Sequence, residues 1–99
     1  MLQEMKNGHS VNVLRFPSTL DAPEMVRMRP RLNRLLNRHP KLLLLDLGAT
    51  RQVKLAGLGM LIDRLKRLDN GVGKIRFSNV SPRVYQTLVR AGVNDFIPC

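Results

Sequence analysis

Residues 41–69, KLLLLDLGATRQVKLAGLGMLIDRLKRLD, change hydrophobic period part-way along, and that change restricts the folds open to the chain. Leu42 to Leu45, with Leu47 just past Asp46, form a short unbroken apolar run directly after Pro40. Such a run reads as a strand buried on both faces, in the middle of a partly parallel sheet. An eight-residue connection, Gly48 to Leu55, follows it. Leu58, Leu61, Ile62, Leu65 and Leu68 then recur at helical spacing, while Asp63, Arg64, Lys66 and Arg67 fall on the other side. This is the pattern of an amphipathic helix. A buried strand therefore feeds a helix through a glycine-containing loop, and function is expected near that loop.

The flanking segments extend the alternation of strand and helix. Residues 2–6 suit a short edge strand, Asn7-Gly8 a tight turn, and Val11 to Phe16 a strand ended by Pro17. Ser18 to Leu20 read as a loop. Asp21-Ala22-Pro23-Glu24 is a helix start, with Asp21 as N-cap and Glu24 reaching back as in a capping box. The helix is expected over Ala22 to Arg38, with Met25, Met28, Leu32, Leu35 and Leu36 on its inner face. Pro30 inside it should kink or split it near Arg29. After the second helix, Asn70-Gly71 and Gly73 turn the chain, and Lys74 to Val80 alternate as a strand. Ser81-Pro82 open a third helix with Val84, Leu88 and Val89 as core positions and Gly92 as its stop. Residues 94–99 suit a last short strand.

The chain of 99 residues is 43% hydrophobic, which suits one compact domain over 1–99. No apolar run is long enough for a membrane span and no signal-peptide pattern opens the chain, so a cytoplasmic location is expected. The single cysteine, Cys99, leaves no internal disulfide. Seventeen Lys and Arg against seven Asp and Glu give a net charge of +10 and favour an acidic partner: nucleic acid, an anionic membrane surface or an acidic protein face. Aromatics are only 4%, so platforms for stacking single-stranded bases are scarce.

Several clusters, taken in order, resemble the STAS domain, the fold of bacterial anti-sigma-factor antagonists. Leu20-Asp21-Ala22 is similar to the family's first helix start, and Leu44-Leu45-Asp46-Leu47 to its buried strand. Gly57-Leu58-Gly59 with Leu61 is similar to the start of its second helix. Ser78-Asn79-Val80-Ser81-Pro82, then Leu88 and Ala91-Gly92-Val93, is similar to its final strand-helix unit. The resemblance implies an α/β fold: a mixed β-sheet of four to five strands carrying three main helices, in the order β-β-α-β-α-β-α-β. It also implies a regulatory role in transcription through protein–protein contact.

The chain departs from the family at one telling place. Phosphorylatable members have Asp-Ser-Ser or Asp-Ser-Ala before the second helix, and the serine accepts phosphate from the anti-sigma kinase. Here Lys54, Leu55 and Ala56 occupy those positions. Leu55 has no hydroxyl to phosphorylate, and Thr50, five residues earlier, carries little weight as a substitute. Two readings stay open. In one, a copy has lost its switch and Leu55 packs partly against the sheet. In the other, the surface is tuned for an acidic partner and held in one state, with Lys54 and the open N–H groups near Gly57 and Leu58 forming an anion-accepting edge.

The partner surface implied by the resemblance comprises Arg51, Lys54, Leu55, Ala56, Gly57, Gly59, Met60, Asp63 and Arg64. The partner would be an anti-sigma factor or kinase-like regulator, or else the ATPase of an ABC transporter bound by a STAS subunit. Charge alone adds a third option, nucleic-acid binding through the stripe Arg27, Arg31, Arg34 and Arg38, although a solvated helix face explains such a stripe as simply. His9, His39 and Cys99 are too scattered for a metal site. Asp46, at the strand exit, suits capping of local N–H groups. No nucleophile–base pair, paired carboxylates or phosphate-binding glycine motif is present in the sequence, so neither an enzyme nor a cofactor is expected.

Overall fold

A computed structural model describes residues 11–67 and 75–92 of the chain. The elements run β1 (Val11–Arg15), β2 (Thr19–Leu20), α1 (Ala22–Asn37), β3 (Leu42–Asp46), β4 (Gln52–Val53), α2 (Leu55–Arg67), β5 (Ile75–Ser78) and α3 (Pro82–Arg90). The leucine run is the middle strand of a parallel three-stranded sheet in the order β1-β3-β5. Register places Asn12, Leu43 and Ile75 in one row, and Leu14, Leu45 and Phe77 in the next. All six side chains are buried. Helices α1 and α2 pack on each other over this face, contributing Met25, Met28, Leu32 and Leu36 from one and Leu58, Leu61 and Leu65 from the other. Each fully buried leucine is worth roughly 1.5–3 kcal/mol relative to exposure.

The other face of the sheet corrects the expectation of a strand buried on both sides. Leu42 and Leu44 are half-buried and Val13 is exposed. With α1 and α2 both over Leu43 and Leu45, the alternate leucines are left to a shallow groove shared with Arg76 and Tyr85. The strands expected at residues 2–6 and 94–99 lie outside the described residues, as do the turn at 70–73, His9 and Cys99.

Three further expectations change. Pro30 neither splits nor ends α1, which runs unbroken through it. Pro30 and Val26 are both exposed, so the Val26 carbonyl that loses its intrahelical donor can face water. Asp21 caps α1 through Oδ1, which accepts from Glu24 N–H at 3.0 Å. The Glu24 carboxylate instead takes a hydrogen bond from Arg27 Nη1 at 3.1 Å, so an ion pair replaces the second half of the capping box. On α3, Ser81 caps as expected and Val84 and Leu88 are buried, but Val89 is exposed. Its position next to Leu88 turns it about 100° away from the core.

The segments before α1 and α2 hold a second ladder that sequence patterning misses. Thr19 and Leu20, expected in a loop, pair in parallel with Gln52 and Val53. Ser18 C=O accepts from Arg51 N–H at 2.8 Å and from Gln52 N–H at 3.1 Å, and Lys54 N–H donates to Leu20 C=O at 2.8 Å. This ladder brings the beginnings of the two helices side by side.

Candidate functional site

The tip of α2 is built on a pinned loop. Asp46 ends β3, and its Oδ1 accepts from Gly48 N–H at 2.8 Å and from Asn79 Nδ2 at 3.0 Å. Arg15 Nε lies 3.5 Å from Oδ2. The Asn79 hydrogen bond and then the Gly48 N–H hold the Asp46 carboxyl below its ordinary pKa, against a lesser push upward from burial, and the Arg15 charge adds the smallest contribution downward. Thr50 is buried, donates its hydroxyl to Pro17 C=O at 2.8 Å, and donates its N–H to Leu47 C=O at 3.0 Å. That hydroxyl is therefore committed inside the fold and unsuited to accept phosphate. Asp46 has the capping role its position suggested.

Helix α2 starts at Leu55, which the sequence placed in the connection. Its first intrahelical bond runs from Leu58 N–H to Lys54 C=O at 3.0 Å. The Leu58 N–H is thus not part of an open edge, and the N–H groups lacking an intrahelical acceptor are those of Leu55, Ala56 and Gly57. Lys54 occupies the capping position with a side chain that cannot accept a hydrogen bond, and no acid lies in the first turn.

Gly57 is also not a surface residue. It is buried, and a Cβ there would stand 2.5–2.8 Å from the backbone N, Cα and C of Asp21. Its role is to let α2 abut the start of α1. On α2 the remaining positions, Leu55, Ala56, Gly59, Met60, Asp63 and Arg64, fall on one half of the helix circumference. Arg51, Lys54, Leu55, Ala56, Gly59 and Asp63 are exposed, while Met60 and Arg64 are half-buried. Leu55 is 72% exposed, which removes the reading in which it packs against the sheet. Met60, Asp63 and Arg64 border a groove of about 300 Å³ whose far wall is Met25, Arg29 and Leu32 of α1. Arg29 was missing from the sequence-derived surface because its contribution comes from a different helix.

The arginine stripe divides. Arg27, Arg31 and Arg34 border a separate groove together with Arg15, whereas Arg38 is the C-cap of α1. His39 follows with φ 51°. Among the described residues no helix is long and apolar enough to cross a membrane.

The family model of the STAS domain matches residues 3–99. The chain belongs to the STAS domain family. Among solved structures, this STAS domain is similar to the anti-sigma factor antagonist SpoIIAA in its unphosphorylated form. The TM-score is 0.74 at 16% identity, over 91% of this chain and 79% of that one. At that identity the likeness speaks for the fold: an α/β fold with three helices, as the sequence resemblance implied, in which the described strands pair in parallel as a three-stranded and a two-stranded sheet. No curated protein matches the chain by sequence.

Proposed function

We propose that this STAS domain is a regulatory protein-binding module that docks an anti-sigma factor or a related kinase-like protein through the tip and outer side of α2, in a form that does not depend on phosphate at the usual loop position. Leu55 carries the reading. A large aliphatic side chain, 72% exposed at the first turn of α2, stands where phosphorylatable members of the family have serine. It can form no phosphate ester, so the surface keeps one charge state. Arg51 and Lys54 are exposed in the segment leading into it, and an apolar knob beside cations suits a partner pocket with acidic walls. The neighbouring groove between α1 and α2 offers a second foothold through Met60 and Arg64.

Calorimetry against the anti-sigma kinase of the same organism tests the proposal. Leu55→Asp and Gly59→Arg should each weaken binding by at least about tenfold with unchanged circular dichroism. Incubation with ATP should leave the loop 48–56 without phosphate by mass spectrometry. Affinity indifferent to both substitutions would remove α2 as the docking surface, and phosphate found on the loop would end the single-state reading.

A further inference from the structure

A groove of about 390 Å³ runs between the end of β1 and the outer side of α1. Four arginines line it, Arg15, Arg27, Arg31 and Arg34, against one acid, Glu24. Half-buried Pro17 and exposed Pro30 supply its accessible apolar surface. Arg27 is held by Glu24 at 3.1 Å and Arg15 approaches Asp46 at 3.5 Å. Arg31 and Arg34 are exposed and have no ion pair among the described residues. Cations gathered in a concavity, two of them unneutralised, attract an anionic occupant more strongly than the same charges spread over a convex face.

We propose that this groove binds an acidic, extended peptide segment of a partner protein, separately from the α2 surface. The helical rise sets Arg27, Arg31 and Arg34 about 6 and 4.5 Å apart along α1. An extended peptide repeats its same-side carboxylates at about 7 Å, wider than the helical rise between these arginines, and the long, flexible arginine stems take up the difference while the alternate side chains reach Pro17 and Pro30. Guanidinium forks bind carboxylates in a bidentate manner. A second copy of this chain is a poor occupant. It has seven acids in all, and Asp21, Glu24 and Asp46 are already engaged inside the fold. Single-stranded nucleic acid lacks a stacking surface here, because Phe16, the aromatic of the groove, is only 3% exposed.

The test is fluorescence anisotropy at about 0.15 M salt with a labelled peptide of alternating glutamate and leucine, the matching serine–leucine peptide, and oligothymidylate. The glutamate peptide should bind and the serine peptide should not. Arg31→Glu with Arg34→Glu should weaken the glutamate peptide by at least about tenfold, and the Gln pair at the same positions should weaken it less. Arg83→Glu with Arg90→Glu, an equal charge change on exposed positions of α3, should alter it by less than about twofold. No peptide binding, or equal loss from both reversed pairs, would overturn the proposal. So would oligothymidylate bound more tightly than the peptide and lost in the α1 variants, which would make the groove a nucleic-acid site. Substitutions at Leu55 read the other surface, so the two proposals fail independently.

Discussion

A methyl group added at Gly57 would stand 2.5 Å from Asp21 Cα, and the atoms it meets are backbone on both sides of Asp21. Backbone cannot rotate out of the way, so α2 would have to move off α1. Gly57→Ala should therefore lower stability by about 1–3 kcal/mol, as overpacking does, despite alanine's better helix propensity. Gly59, two residues on, meets nothing within 4 Å, and Gly59→Ala should raise stability by about 0.5–1 kcal/mol. Urea midpoints of the two variants, moving in opposite directions, check both. Asp46 adds a pH dependence. Its folded pKa is lowered, so its contribution is fully present above the unfolded value of about 3.9 and is lost as pH falls through the folded value. Asp46→Asn should cost about 1 kcal/mol near pH 7, and the gap between variant and parent should narrow below pH of about 4. A gap that widens on acidification would contradict the geometry around Asp46.

At the scale of the element, the three helices differ in how they begin. Asp21 and Ser81 each accept an N–H of the first turn of their helix, at 3.0 and 3.3 Å. Lys54 cannot do this, and it adds a cation where the helix dipole is already positive. Lys54→Asp should therefore stabilise the fold by about 1 kcal/mol, read from urea denaturation, while making the α2 surface less cationic. A loss of stability would mean that the lysine has a structural role at the tip. The two capped starts were legible in the sequence because their signals are local: Asp21-Ala22-Pro23 and Ser81-Pro82 sit within a few residues of the turns they satisfy. The leucine run and the amphipathic pattern of α2 were legible for the same reason. What escaped depends on contacts between distant segments. The β2–β4 ladder is two residues long on each side, too short for any periodicity, and it joins Thr19 to Gln52. Missing it put Leu55 in a loop and hid the burial of Gly57. Arg15 joins the α1 arginines only because β1 ends beside that helix, which no helical spacing can reveal. Pro30 kept its place because its missing N–H costs least on an exposed face.

For the whole molecule, charge acts on folding and on binding with opposite consequences. Seventeen cations against seven anions in 99 residues repel one another more in the folded chain than in the expanded one, and this repulsion opposes folding. Salt shortens its range, from a Debye length of about 30 Å at 0.01 M to about 8 Å at 0.15 M. Exposed ion pairs such as Arg27–Glu24 lose strength in the same interval, but such pairs contribute only about 0.2–1 kcal/mol each. The net effect should be a urea midpoint that rises as sodium chloride is increased across that range. Attraction between the arginine groove and an acidic peptide is screened by the same ions, so its affinity should fall over the same titration, chiefly through a slower association rate. Stability and affinity moving apart with salt would tie both to the one charge imbalance. A midpoint that falls would mean that specific ion pairs outweigh the general repulsion, and an affinity that does not fall would mean that the apolar surface of the groove, rather than its arginines, holds the peptide.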